Sequence, residues 1–423
     1  MAVRAGEALG GHARMNAWRQ STWGQEVTLE YGKALRDYSG TAGSVRVFGT
    51  NGPIGWTDAA LAPGPGVVLG RKGAYRGVHY SPDPFFVIDT AYYVVPKAEL
   101  EMRWVYYAII HHQLGLIDDG SPIPSTTRAA VYPREIIVPP PAEQRAVAGV
   151  LGALDDKIEQ NRQTARALER LARAIFRAWF VDFEPVKAKA AGATAFPSMP
   201  QPVFDALPAC FADSDLGLVP EGWPPTAVSL AFEVNPTRPL RRDAPTPYLD
   251  MKNMPTEGHA PDSWIIRPYG SGMRFMNGDT LVARITPCLE NGKTAFVDFL
   301  DDGQIAWGST EYIVLRPKPP LPPVFAYCLT RTDEFRDFAI QSMTGTSGRQ
   351  RVGPAAMEHF QIAMPPKSAA VCFGEIVQPL FNCIRAGMDE SRKLAEMRDF
   401  LLPKLLSGDI EVQTLLAELG NQP

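Results

Sequence analysis

Between Ala142 and Phe183 the apolar positions keep one repeat. Val147, Leu151, Leu154, Ile158, Asn161, Ala165, Leu168, Ala172, Ile175 and Trp179 follow one another at alternating spacings of four and three residues. Good helix formers fill the gaps, and neither Gly nor Pro occurs after Gly152. Such a narrow seam predicts a coiled-coil helix, on the order of 60 Å long at 1.5 Å per residue, that needs a partner of equal length. Asn161 puts a polar group mid-seam, a placement that costs stability and fixes register. The partner lies in the same chain. Adding 226 to each position gives Phe373, Val377, Leu380, Ile384, Gly387, Ser391, Leu394, Arg398, Leu401 and Leu405. Both ends are apolar, the centre is small or polar, and only Arg398 breaks the pattern.

Each predicted helix follows a stretch of short β-rich runs separated by Gly and Pro turns. In the first stretch the runs are SVRVFG, GVVLGRKG, FFVIDTAYYVVP and REIIVP, with a helix over Met102–Gln113; in the second they are GDTLVARI, KTAFVDFL, EYIVLRPK and HFQIAMPP, with one helix over VFAYCLTRTDEFRDFAI. TAYYVVPK from Thr90 matches TEYIVLRPK from Thr310, and the segment from Gly120 matches that from Gly345 at offsets of 225 to 226. The expected organisation is an α+β domain over 1–140, a long helix over 141–183, a Pro/Ala-rich linker over 184–225, a second α+β domain over 226–366, a second long helix over 367–412 and a tail over 413–423.

Composition narrows the class. At 423 residues and 45% hydrophobic content the chain has ample core for several domains. No run approaches 18 apolar residues, and the N-terminus lacks a signal-peptide pattern, so a cytoplasmic protein without a membrane span is expected. Five cysteines, Cys210, Cys288, Cys328, Cys372 and Cys383, form no CxxC pair and read as reduced thiols. A net charge of −4 argues against coating nucleic acid unaided.

The motifs resemble those of the DNA-specificity (S) subunits of type I restriction–modification systems. The resemblance is carried by VFGTNGPIGW (Val47–Trp56), VVLGRKGAYRG (Val67–Gly77), TAYYVV (Thr90–Val95), PPPAEQRAVAGVLGALDDKIEQN (Pro139–Asn161), WFVDFEPV (Trp179–Val186), GTSGRQRV (Gly345–Val352) and LPKLLSGDIEV (Leu402–Val412). It covers nearly the whole chain; the second half departs from it where PPKSA replaces the PPxxEQ helix start. The resemblance implies two target-recognition domains related by an internal pseudo-two-fold repeat and separated by an antiparallel coiled coil of two long helices. It implies a chain without a catalytic site that reads a split sequence in double-stranded DNA and recruits two methyltransferase (M) subunits and then restriction (R) subunits. S-adenosylmethionine, ATP and Mg2+ would belong to those partners. Physics agrees with a ruler: half-sites on one face of B-DNA lie about 34–36 Å apart, and one heptad changes a helix by about 10 Å, or roughly three base pairs.

Two loops per domain are candidate DNA contacts. The first domain offers Arg71, Lys72, Tyr75, Arg76 and His79 on one loop, and Ser125, Thr126, Thr127 and Arg128 on another. The second offers Arg284, Thr286, Asn291 and Lys293, then Thr346, Ser347, Arg349, Gln350 and Arg351. Arg reaches guanine or phosphate, hydroxyls suit phosphates, and Asn or Gln suits adenine; solvated turns would use the same residues. Phe176, Trp179, Phe180 and Phe183, with Leu402, Leu405 and Leu406 at the matching offset, are either core or a docking surface for methyltransferase subunits. The outer arginines Arg162, Arg166, Arg170, Arg173 and Arg177, with Glu159 and Glu169, read as a solvated face.

A self-contained methyltransferase or nuclease fused to recognition domains is the alternative. SPDPFF (Ser81–Phe86) lacks the second adjacent proline of a base-positioning methyltransferase motif, and no cofactor loop accompanies it. No Gly-rich phosphate loop ends in Gly-Lys-Ser/Thr, and no histidine spacing suggests a metal site. A lone repressor-like protein would have to bind DNA tightly without partners, against its net acidity.

Overall fold

The computed structural model describes residues 18–36, 38, 43–73, 75–117, 123–346 and 348–414. They form two compact units, Met1–Glu159 with Ser391–Pro423, and Gln160–Glu390. Both long helices are present, Pro141–Phe180 and Lys367–Ser407, and the unit boundary cuts through each. Phe183, beyond the first, is left-handed at φ 53°, and Gly408, just past the second, at φ 78°. The left-handed Gly408 ends the second helix five residues short of the expected 412.

In the first unit a four-stranded antiparallel sheet has the order Val27–Tyr31, Ala91–Pro96, Gly66–Gly70, Val78–Ser81. Its outer strand alternates as a half-covered strand should, with Val27 and Leu29 buried beneath Thr28 and Glu30. A second sheet pairs Val45–Gly49 with Gly52–Thr57 and, in parallel, with Phe85–Val87. Trp23, Leu69, Trp104 and Val105 share one core with Val147, Leu151, Leu401 and Leu405 of the two long helices. Gln144 explains the Glu-Gln helix start: its Oε1 accepts from Glu101 N at 2.9 Å and its Nε2 donates to Pro139 O at 2.9 Å, so it ties the domain to the helix.

The second unit repeats this order: Phe232–Val234, Tyr312–Pro317, Thr280–Ala283, Thr294–Phe296. Its second sheet again holds one parallel pair, Pro245–Leu249 with Ile305–Gly308. The helix expected over 324–340 is two helices, Val324–Thr330 and Asp333–Gln341, because Thr332 has extended backbone and its side chain accepts from Phe335 N. The expected linker is also corrected. Residues 184–225 carry helices Glu184–Ala190 and Gln201–Asp205 and the hairpin Phe211–Pro220, and they bury Val186, Met199, Phe204, Leu207, Val219 and Trp223 in the unit's core. Apolar residues spaced among prolines concealed that core.

The seams follow one burial pattern. Val147, Leu151, Ile158, Ile175 and Trp179 are buried and Leu154, Asn161 and Leu168 partly so; Val377, Ile384 and Leu401 are buried and Leu380 and Leu394 partly so. In the second unit Asn161 Nδ2 donates to Gly387 O at 3.2 Å and to Glu390 Oε2 at 2.7 Å, while Trp179 lies beside Phe373, so the helices run antiparallel. In the first unit Arg398, the exception in the seam, donates from Nη1 to Asp155 Oδ1 at 2.7 Å, and Tyr107 Oη donates to Asp155 Oδ2 at 2.6 Å. That node joins the helix Met102–His111 to both long helices.

Candidate nucleic-acid interface

The two basic loops of the first unit are far apart in sequence and bonded in space. Gly73 N donates to Pro124 O at 3.0 Å and Thr126 N to Arg71 O at 2.9 Å, with Lys72 and Ser125 bridged between them. Gly73 permits this with φ 112°. Arg71 N donates to Thr90 O at 3.0 Å and its Nη2 to Asp89 O at 2.9 Å.

The second unit has the same arrangement. Thr286 N donates to Gln350 O at 3.0 Å, Val352 N to Arg284 O at 2.9 Å, and Arg284 N to Glu311 O at 3.0 Å. Ile285 and Arg351 form the matching bridge. Arg71 and Arg284 are thus equivalent, and each has its Nε buried without a hydrogen-bond partner.

Several expected contacts turn inward instead. Arg76 donates to the carbonyls of Gly115, Gly73 and Ile117 at 3.1, 2.7 and 2.9 Å, which makes it a strut between loops. Thr126 is fully buried and donates to Leu114 O and Ile117 O. His79 packs against Phe48, and burial pushes its imidazole below the ordinary value. Thr127 caps the helix Arg128–Val131 by accepting from Ala130 N. In the second unit Lys293 Nζ donates to Met251 O at 2.6 Å and Lys252 O at 3.1 Å, Thr286 Oγ1 reaches Gln350 O, and Arg351 pairs with Glu311 at 2.8 Å. Lys72, Tyr75, Asn291, Thr346 and Arg349 remain exposed, Ser125 and Gln350 are partly so, and Ser347 lies outside the described residues.

Burial takes Phe176, Trp179, Phe180 and Leu405 out of the expected docking surface, whereas Phe183, Leu402 and Leu406 stay partly exposed. Phe176 and Trp179 are 1% exposed and Phe180 7%, stacked with Phe325, Phe373 and Trp223. Leu405 is 1% exposed, and Phe183, Leu402 and Leu406 pack against the cores. These side chains complete their own units.

No family model matches the chain. It is 25% identical, over 76% of its length and 72% of the relative's, to the MjaIX type I restriction enzyme specificity subunit of Methanocaldococcus jannaschii. It is 22% identical to the HindI specificity subunit of Haemophilus influenzae over 68% of this chain and 71% of that one. The crystal structure of the type I restriction–modification S subunit of M. genitalium superposes with a TM-score of 0.56 at 15% identity, covering 92% of this chain and 96% of that chain, and so shares its fold. The chain is homologous to type I specificity subunits. The likeness to the M. jannaschii specificity subunit extends over more residues than either unit holds, so both units take part in it.

Beside these loops the structure shows candidate residues that the loop motifs did not disclose. Tyr31, 47% exposed, lies under two guanidiniums: Arg128 Cζ is 4.4 Å and Arg71 Cζ 5.0 Å from its ring centroid. Tyr92 backs the stack, its phenol pushed up to about 12 by burial and by its hydrogen bond with Tyr31. Tyr31 ends a strand with nothing local to mark it. Glu169, expected on a solvated face, is 6% exposed and accepts from Tyr327 Oη at 2.6 Å. Among the described residues no three His, Cys, Asp or Glu side chains gather as metal ligands, and no helix is long and apolar enough to cross a membrane.

Proposed function

We propose that this chain is the DNA-reading subunit of a type I restriction–modification complex. Each unit reads one half of a bipartite target with its pair of bonded loops, and the chain itself supplies no catalytic group. Methyltransferase subunits and then restriction subunits assemble on it in the cytoplasm, bringing S-adenosylmethionine, ATP and Mg2+ with them. The observation that carries the reading is the pair of cross-loop hydrogen bonds repeated atom for atom in the two units, Thr126 N to Arg71 O and Val352 N to Arg284 O. A duplicated scaffold presenting exposed Lys72, Tyr75, Asn291 and Arg349 suits two similar readings of one duplex.

The test is co-expression with candidate methyltransferase chains and mapping of methylated adenines in the host genome. A split motif with a fixed gap is the expected result. Unmodified DNA together with no co-purifying partner refutes the proposal.

A further inference from the structure

The second unit has a partly open cavity of about 200 Å³ beside the loop that carries Asn291. Its wall includes Arg173, Arg331 and Arg336, the threonines Thr256, Thr294 and Thr330, and a single carboxylate, Asp333. Arg331 is held by neutral acceptors. Nη1 donates to Thr256 O and Gly292 O, Nη2 to Gly258 O and Thr294 O, and Nε to Tyr327 Oη. Arg336 donates to Glu290 O. Among the described residues neither makes an ion pair, so three guanidiniums face the cavity region against two carboxylates, Asp333 in the wall and Glu169 behind Tyr327. Arg173 donates to Arg331 O at 3.2 Å and pairs at 4.0 Å with Glu169, whose Oε1 also accepts from Tyr327 Oη.

The cations converge because the loop turns at Gly292. A Cβ placed there would lie 3.9 Å from Nη1 of both Arg331 and Arg336, so the two nitrogens are within twice that distance of each other. Like charges this close repel, and an anion seated between them would relieve that repulsion. Guanidinium forks with threonine hydroxyls match the oxygens of a tetrahedral anion.

We propose that this cavity binds an oxyanion of the phosphate class, held by Arg336 and Arg173 with the charge of Arg331 behind them. The oxyanion is either a backbone phosphate of bound DNA or free inorganic phosphate. The proposal does not depend on the DNA-reading role, because inorganic phosphate is the probe.

Binding of inorganic phosphate to the full chain is measured by titration calorimetry and by the melting temperature, in phosphate against chloride at equal ionic strength. Saturable binding and a phosphate-specific rise in melting temperature are expected. Arg336→Gln should weaken binding at least tenfold, Arg173→Gln should weaken it as well, and Asp333→Asn should tighten it. If a duplex that binds the chain displaces phosphate, the source is DNA; if phosphate and duplex bind together, it is the free anion. Identical melting in phosphate and chloride, or equal phosphate affinity in Arg336→Gln and Asp333→Asn, overturns the proposal.

Discussion

Gly387 sits in the middle of a 41-residue helix, where glycine is about 0.8–1.0 kcal/mol less favourable than alanine. A methyl group there would lie 3.7 Å from Asn161 Cβ and 3.7 Å from Cγ, ordinary van der Waals contact. The bond from Asn161 goes to the Gly387 carbonyl, so Gly387→Ala leaves it in place. The substitution should therefore stabilise the second unit by about 1 kcal/mol, which raises the melting temperature of a domain this size by about 2–4 °C. Gly152→Ala is the control. Its Cβ would come within 2.7 Å of Arg103 Cζ, and Arg103 is fixed by Asp156 at 2.7 Å and by Gly152 O at 3.0 Å. Losing those charge-assisted bonds outweighs the helix gain, for a net loss of about 1 kcal/mol. Thermal unfolding followed by circular dichroism separates the two. A lower melting temperature for Gly387→Ala would mean that the seam at Asn161 tolerates only glycine.

Asp155→Ala removes the shared acceptor of Tyr107 and Arg398; with side-chain exposures of 22% and 29% for the ion pair, the loss should be about 2–3 kcal/mol by urea denaturation, less than for a fully buried pair. Glu26 is held below the ordinary carboxylate value, first by its hydrogen bond with Arg19, then by Ser21, against burial. Its contribution is present above the ordinary carboxylate range and is lost as pH falls through the depressed value; Glu26→Gln should flatten that acid limb in a series of melting curves, and an unchanged limb refutes the assignment. Tyr31→Ala should relax or change only the half of the methylated motif read by the first unit, whereas Tyr31→Phe, which keeps the ring under Arg71 and Arg128, should leave the motif unaltered. Adding seven residues to both long helices should widen the gap in the motif by about three base pairs; an unchanged gap would remove the ruler.

The long helices were readable because their signal is local and periodic: each seam residue is spaced from the last by helix geometry alone. The repeated strands were readable as apolar runs bounded by turns, although the match of Thr90 with Thr310 is one residue out of the structural register, in which Thr90 corresponds to Glu311. The segment 184–225 was not, because Phe204, Leu207 and Trp223 show no period and acquire meaning only when they meet Phe180 and Phe183. Burial at Phe176 and Trp179 was equally hidden. An apolar helix end looks the same whether its cover comes from its own unit or from another chain.

Sequence located the loops better than the side chains within them. Loop position follows from strand spacing and glycine, but the fate of an arginine depends on carbonyls brought from elsewhere, which is why Arg76 became a strut while Arg71 became part of a stack. The backbone of the paired loops is repeated in the two units, and the side chains around it are not. In the second unit Tyr92 is replaced in register by Ile313, Arg128 by Pro354 at the offset of 226, and Tyr31, counted from the preceding short helix, by Pro236. Arg71 alone keeps its counterpart, Arg284. A shared frame with one common arginine and divergent neighbours is what two half-sites of different sequence would demand of one duplicated fold, since phosphate geometry repeats along DNA and base edges do not.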